Sequence, residues 1–309
     1  MPLHTGSFSR REFLAQGTTT LAGLAVLSTL GRVSGEEPAA TNPNLLALLS
    51  DTHIPNAPEV VARDTNMTSN LRQVVREVTA LKTKPAGVVI NGDCAYLKGL
   101  SEDYANLAKC LVPLQEAGLP LHLTMGNHDH RGHLFAELKA QQPKQPVLES
   151  KHVTILETPH ANWFLLDSLT ETDVVTGEIG AEQRSWLAKA IAARPDKPAL
   201  VMAHHTPQFE PPAEGKVWGG IKDTAEFLEL LTSFKQVKAF LFGHSHDWSV
   251  TKRDKLQLIN LPPVAYVFAA GKPNGWVLAE TRADGLSLEL RTIDPAHKQS
   301  GEKVDLVWA

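Results

Sequence analysis

Only two cysteines, Cys94 and Cys110, occur in the 309 residues of this chain. Two thiols cannot build a disulfide framework, so both read as unpaired and no small stapled scaffold is encoded. Positive charge is also scarce: 30 Lys and Arg stand against 34 Asp and Glu, a formal net charge of −4. No basic surface is left over for a nucleic-acid backbone or an anionic membrane. There is no internal repeat and no low-complexity tract. What remains, at 42% hydrophobic and 21% charged residues, is an ordinary globular composition with length enough for one large domain.

The first residues read as an address rather than as fold. Ser9-Arg10-Arg11-Glu12-Phe13-Leu14 precedes an uncharged apolar run, Thr18 to Gly31, and small residues follow near Val33-Ser34-Gly35. A basic start, a short apolar core and a small-residue exit describe an export signal, and the run is too short for a comfortable bilayer span. The paired arginines of "SRREFL" closely resemble the twin-arginine signal. We therefore expect residues 1–35 to be a signal peptide, cleaved after Gly35 with Ala39 or Ala40 as alternatives. A short linker over 36–43 and one domain over 44–309 would follow. The implied partner is the twin-arginine translocase, the destination is periplasmic or extracellular, and no stable membrane span survives cleavage. Residues 1–35 hold three Arg and one Glu, so the remainder carries 27 basic and 33 acidic residues, a charge of −6.

From Asn44 short apolar runs alternate with amphipathic stretches, the pattern of an α/β fold. Strands are expected at Leu45 to Ser50, Ala86 to Asn91, Leu119 to Met125, Asn162 to Asp167, Ala199 to Ala203 and Val237 to Phe242. Helices are expected at Met67 to Leu81, Glu102 to Ala117, Ala181 to Ala193 and Thr224 to Leu231. After His246 the chain turns β-rich, with strands at Trp248 to Thr251, Leu256 to Asn260, Ala265 to Phe268, Trp276 to Glu280 and Leu286 to Thr292.

Five of the apolar strands end in the same kind of chemistry. "LLALLSDTH" closes on Asp51 and His53, "GVVINGD" on Asp93, and "LHLTMGNHD" on Asn127, His128 and Asp129. "ALVMAHH" closes on His204 and His205, and "AFLFGHSH" on His244 and His246. In an open α/β sheet such strand ends share one edge, where ligands bind. The donors are imidazole nitrogen and oxygen without thiolate, which suits Fe, Mn or Zn rather than Cu(I) or an iron–sulfur cluster. Seven ligands exceed one ion's needs and suit two that share a carboxylate, a pair that can clamp a phosphoryl group. Only Asp51 and Asp93 are anionic, so two divalent ions leave the site positive.

The ordered set D-x-H, G-D, G-N-H-D, H, G-H-x-H resembles the calcineurin-like metallophosphoesterase superfamily over nearly all of the chain after the signal. The resemblance implies a four-layer α/β/β/α sandwich of two mixed β-sheets flanked by helices, with a dimetal site at the strand ends. It places Asp51, His53 and His246 on one ion, Asn127, His204 and His244 on the other, and Asp93 between them. It also implies His128 as the acid that protonates the leaving oxygen, with Asp129 hydrogen-bonded to its ring. His205, Tyr96 and Trp218 would stand behind the ligands or touch substrate, and His130 would be a solvated loop residue. "GDCAY" is similar to purple acid phosphatases, in which the tyrosine binds iron. His53 already fills a nitrogen position, so Tyr96 is expected beside the metals, its hydroxyl hydrogen-bonded, and not on them. The implied activity is hydrolysis of phosphate monoesters or diesters by a metal-activated hydroxide. A non-catalytic exported protein that holds metal or phosphate is the rival of another class.

Overall fold

The computed structural model describes residues 40–308, so the signal peptide read at residues 1–35 lies outside them. In chain order the elements are β1 (Thr41–Ser50), β2 (Val61–Ala62), β3 (Thr65–Asn66), α1 (Met67–Thr79), β4 (Lys84–Asn91), α2 (Ser101–Glu116), β5 (Leu121–Thr124) and α3 (Arg131–Glu137). There follow β6 (Thr154–Glu157), β7 (Asn162–Leu165), α4 (Ala181–Ala192), β8 (Ala199–Met202), α5 (Thr224–Ser233) and β9 (Val237–Phe242). The β-rich end holds β10 (Ser249–Arg253), β11 (Leu256–Asn260), β12 (Gly275–Arg282), β13 (Gly285–Thr292) and β14 (Lys303–Val307).

The sides on which β1 buries its residues explain the layers. Successive side chains on a strand face opposite ways. Ala47 and Leu49 pack with Leu71, Val74, Val75 and Val78 of α1 and Leu107, Leu111 and Leu114 of α2. Leu46 and Leu48 point the other way, into a layer shared with Trp163, Leu165, Leu200, Met202, Leu241 and Ile259. Across the second sheet, Phe164, Val201 and Phe240 bury against Leu187 and Ile191 of α4 and Phe227 and Leu231 of α5. Three apolar layers thus separate helices, sheet, sheet and helices, the expected four-layer sandwich.

One sheet runs β14-β13-β12-β1-β4-β5 and the other β10-β11-β9-β8-β7-β6. Both are mixed. β1, β4 and β5 are mutually parallel with β12 antiparallel to β1. β7, β8, β9 and β11 are parallel, and β6 and β10 are antiparallel at the edges. The five strands that end in candidate ligands are therefore parallel within their own sheets, which brings their C-terminal ends to one edge of each.

The departures from expectation are local. β1 opens at Thr41, so 41–43 are strand rather than linker. Ala265 to Phe268 is not a strand. The Val264 and Ala265 N–H groups donate to Ser50 O (2.9 Å) and Asp51 O (3.1 Å). Their carbonyls accept from Asn70 Nδ2, both at 2.9 Å. The backbone groups that a ladder would need are spent anchoring this segment to the end of β1. β6, β14, the β2–β3 hairpin and α3 carried no periodic signal because they are short. His130 is not a solvated loop residue: it caps α3, its Nδ1 accepting from His133 N at 3.2 Å, and its ring stacks on His133.

Candidate metal centre

The strand ends turn sharply where they deliver their ligands. Asp51, His53, Asp93, His244 and His246 all have positive φ, between 45° and 68°. The left-handed region costs a side-chain-bearing residue roughly 1–2 kcal/mol, and such strain gathers at functional sites. Alternate residues of D-x-H and H-x-H then face the same side. Asp51, His53, Asp93 and His246 converge so that one donor atom from each lies within 4.8 Å of the others, and Asp93, His204 and His244 do the same. Asp93 belongs to both groups. Its Oδ2 lies 3.5 Å from His53 Nε2 and 3.2 Å from His204 Nε2, while its Oδ1 accepts the His128 backbone N–H at 2.9 Å.

Three of the four imidazoles, those of His204, His244 and His246, are held by one nitrogen so that the other faces inward. His204 Nδ1 pairs with Asn91 O at 2.8 Å and His246 Nδ1 with Tyr266 O at 2.6 Å, leaving both Nε2 atoms for the centre. His244 is held the other way round, Nε2 to Gly219 O at 2.8 Å, so its Nδ1 faces inward. Such carbonyl contacts fix tautomer and ring direction in metal sites.

Whether cations fit can be tested on the atoms themselves. His53 Nε2 and His246 Nε2 stand 2.9 Å apart, close enough for one ring to donate to the other or for both to face one cation. Asn127 Oδ1 is buried with no hydrogen-bond partner among the described residues, a state that costs about 1–3 kcal/mol. Divalent cations held by these groups would satisfy them, and the N/O donor set suits borderline metals. Ligation also needs ionised carboxylates and neutral imidazoles. Burial opposes ionisation of Asp51, yet His204 and His246 bring it down to about 2, and His204 holds Asp93 well below its usual range in the same way. Burial drives His53 down to about 3 and His244 to about 4. His204 alone goes up, to about 10, because Asp93 and Asp51 overcome the effect of its burial. A cation at Nε2 takes the place of that proton.

A match to the calcineurin-like phosphoesterase family model spans residues 45–248, from β1 to just past the last of these ligands. The chain belongs to that family. It is accordingly a hydrolase of phosphoric ester bonds with a residue cluster suited to divalent metals. This phosphoesterase is 27% identical over 241 residues to the 3′,5′-cyclic adenosine monophosphate phosphodiesterase CpdA of Pseudomonas aeruginosa, covering 76% of this chain and 81% of that one. It is 26% identical over 241 residues to a probable glycerophosphodiester phosphodiesterase GpdQ of Arcobacter nitrofigilis, covering 78% and 82%. Its fold resembles a dimetal phosphatase from Danio rerio, with a TM-score of 0.65, 16% identity and coverage of 88% and 100%. It also resembles a purple acid phosphatase from yellow lupin seeds, with a TM-score of 0.61, 14% identity and coverage of 86% and 54%.

Around the phosphoesterase cluster the expectations divide. His128 is there, its ring 5.4 Å from that of His53, but Asp129 does not orient it. The Asp129 carboxylate is fully buried and accepts N–H from Cys94, Ala95 and Gly126 and the Tyr104 hydroxyl, binding the loops after β4 and β5 to α2. Burial and the Asp93 charge raise it to about 6, although those backbone donors pull the other way. The His128 ring is oriented by Leu97 O, 2.6 Å from Nδ1, with Asp173 Oδ1 at 3.6 Å. Asp173 was missed because it lies in a polar stretch, "LTETDVV", with no strand-end context. His205 is buried behind the ligands, Nδ1 to Ser168 Oγ at 2.7 Å and ring centre 4.7 Å from His244. Tyr96 packs edge-on to His53 with ring centres 6.5 Å apart, and its hydroxyl has no hydrogen-bond partner among the described residues, contrary to expectation. Trp218 contributes backbone: its carbonyl accepts from Thr176 Oγ1 at 2.7 Å, beside the Gly219 carbonyl that holds His244. Tyr266, stacked on His53 at 5.3 Å, and Phe268, stacked on His246 at 4.1 Å, were also missed. In the sequence they lie in a run with the composition of an ordinary strand.

Proposed function

We propose that this phosphoesterase is an exported enzyme that works with two divalent ions, Fe, Mn or Zn, and hydrolyses phosphate esters, diesters before monoesters. The observation that carries the reading is the pair of ligand groups that meet at Asp93. Asp51, His53, Asp93 and His246 would hold one ion, and Asp93, Asn127, His204 and His244 the other. When bound, such ions supply Lewis acidity to phosphoryl oxygens and lower the pKa of a water. The preference for diesters draws on the relatives named as phosphodiesterases. The chain's own residues do the rest. His128, with Nδ1 committed to Leu97 O, has Nε2 free to give a proton to the departing oxygen. Asp93 keeps its second oxygen on the His128 N–H, so this ligand and the acid move together. A merely metal-holding protein has no use for a histidine so placed.

Elemental analysis of active protein tests the reading, with two ions per chain expected and a single ion against it. Asp93→Ala should empty both positions and abolish turnover of a panel of phosphodiesters and monoesters. Export rests on "SRREFL" and the apolar run behind it. Changing Arg10 and Arg11 together to Lys should leave the protein in the cytoplasm, and unaltered export would refute the twin-arginine route.

A further inference from the structure

The hairpin of β2 and β3 pairs Val61 with Asn66 and Ala62 with Thr65, so Arg63 and Asp64 form its two-residue turn, with φ of 50° and 60°. Positive φ at both positions is the signature of a type I′ hairpin turn, whose twist matches that of the strands. The hairpin is braced at its base: Asn66 donates through Nδ2 to Pro58 O at 2.9 Å and caps α1 by accepting from Ser69 N at 2.7 Å. Its tip carries a cation to the rim of the metal centre. The Arg63 guanidinium carbon lies over the Phe268 ring at 5.0 Å and the Tyr266 ring at 5.7 Å. Phe268 is in turn stacked on the ligand His246 with an interplanar angle of 16°. One aromatic ring thus separates the guanidinium from a metal ligand.

Among the described residues this guanidinium has no carboxylate or carbonyl partner, and the aromatic contacts are what hold it. A cation–π contact steadies the group without using its N–H donors, which leaves them available to bind an oxyanion bidentately. Arg63 meets the candidate ligands through Tyr266 and Phe268 and not at their nitrogens, so the reacting phosphoryl group is not what it is placed to address. What it can meet is the ester's alcohol arm. Phe268 is 54% exposed, yet one of its faces is taken by His246. A flat group stacking there would have to compete with Arg63, whereas an oxyanion would be received by it. We propose that Arg63 is a substrate-binding residue that selects phosphate esters whose arm bears a second oxyanion, a carboxylate or another phosphate, a few atoms from phosphorus. The proposal rests on the phosphoesterase reading of the metal centre.

Calorimetry on the metal-loaded full chain compares two non-hydrolysable ligands of equal length, 3-phosphonopropionate and propylphosphonate. The wild type should bind the carboxylate-bearing ligand about tenfold more tightly, the scale of one charge-assisted contact at a partly exposed site. Arg63→Met, which keeps an apolar stem over the aromatic rings, should close that gap, and Arg63→Lys should restore part of it. Equal affinities in the wild type, or a gap that persists in Arg63→Met, would overturn the assignment while leaving the metal-centre reading intact. Failure of propylphosphonate itself to bind the wild type would overturn both.

Discussion

At the residue scale the proposed chemistry turns on His128 and what steadies it. General acid–base assistance is typically worth about 10²–10⁴-fold, and His128→Ala should lose that much on esters with poor leaving groups. Asp173 stands 3.6 Å from the same ring but is 46% exposed, so solvent screens it. Asp173→Asn should cost no more than about fivefold on the same esters. Both losses should shrink on esters whose leaving groups need no proton, and rates across a leaving-group series measure this. Asp129→Asn should behave differently. Its carboxylate joins the loops after β4 and β5 through backbone N–H groups, so the variant should lose metal and stability, with an activity loss that does not depend on the leaving group.

At the element scale the site depends on how closely three strand ends approach. Gly92, between Asn91 and Asp93, has φ of +70°, and a Cβ there would lie 2.7 Å from the Gly126 backbone N and from His204 Cβ. Both the left-handed backbone and the space require glycine. Gly92→Ala must part β4 from the ends of β5 and β8, which carry Asn127 and His204. We expect roughly 2–3 kcal/mol of lost stability, the range for strain combined with overpacking. We also expect weakened metal retention, with little change in the far-ultraviolet circular dichroism. Thermal unfolding and metal content measured together check this.

At the scale of the whole molecule the ligand cluster makes stability depend on pH. His53 and His244 are held down to about 3 and about 4, first by burial, against an ordinary value of 6.5. Their contribution is complete above 6.5 and is lost as pH falls toward 3–4, because the unfolded chain binds protons that the fold refuses. Asp51, at about 2 against 3.8, adds a loss of the same sign at still lower pH. His204 acts in the opposite sense. Raised from 6.5 to about 10, it contributes below 6.5 and loses that contribution as pH rises through 10. Chelator-treated protein should therefore be most resistant to urea near neutrality and weaker at both pH 5 and pH 10. Metal-loaded protein should lack the alkaline decline, since a cation on His204 replaces the proton. Urea midpoints at the three pH values, with and without chelator, decide this.

The cluster of donor residues and the strands that end in it were legible in the chain itself, and the four layers in the family resemblance that the ordered motifs carry. Apolar runs such as "LLALLS" and "ALVMAH" advertise buried strands, and only a cluster of donors makes Asp or His worth placing at their ends. Periodicity likewise marked the helices that carry wide apolar faces, α1 above all. What sequence could not decide depends on residues far apart in the chain. Ala265 to Phe268 has strand composition, but its hydrogen bonds go to the end of β1 and to Asn70, and that places Tyr266 and Phe268 against His53 and His246. His128 and Asp129 are neighbours in the chain, and adjacency suggested a pair. The fold instead sends Asp129 inward to backbone N–H groups and brings Leu97 O and Asp173 to the histidine. Local pattern fixes which side chains a strand end offers, because burial and pleat act over a few residues. Which partner each one meets is set by loop closure across the sheets, and only the tertiary structure settles that.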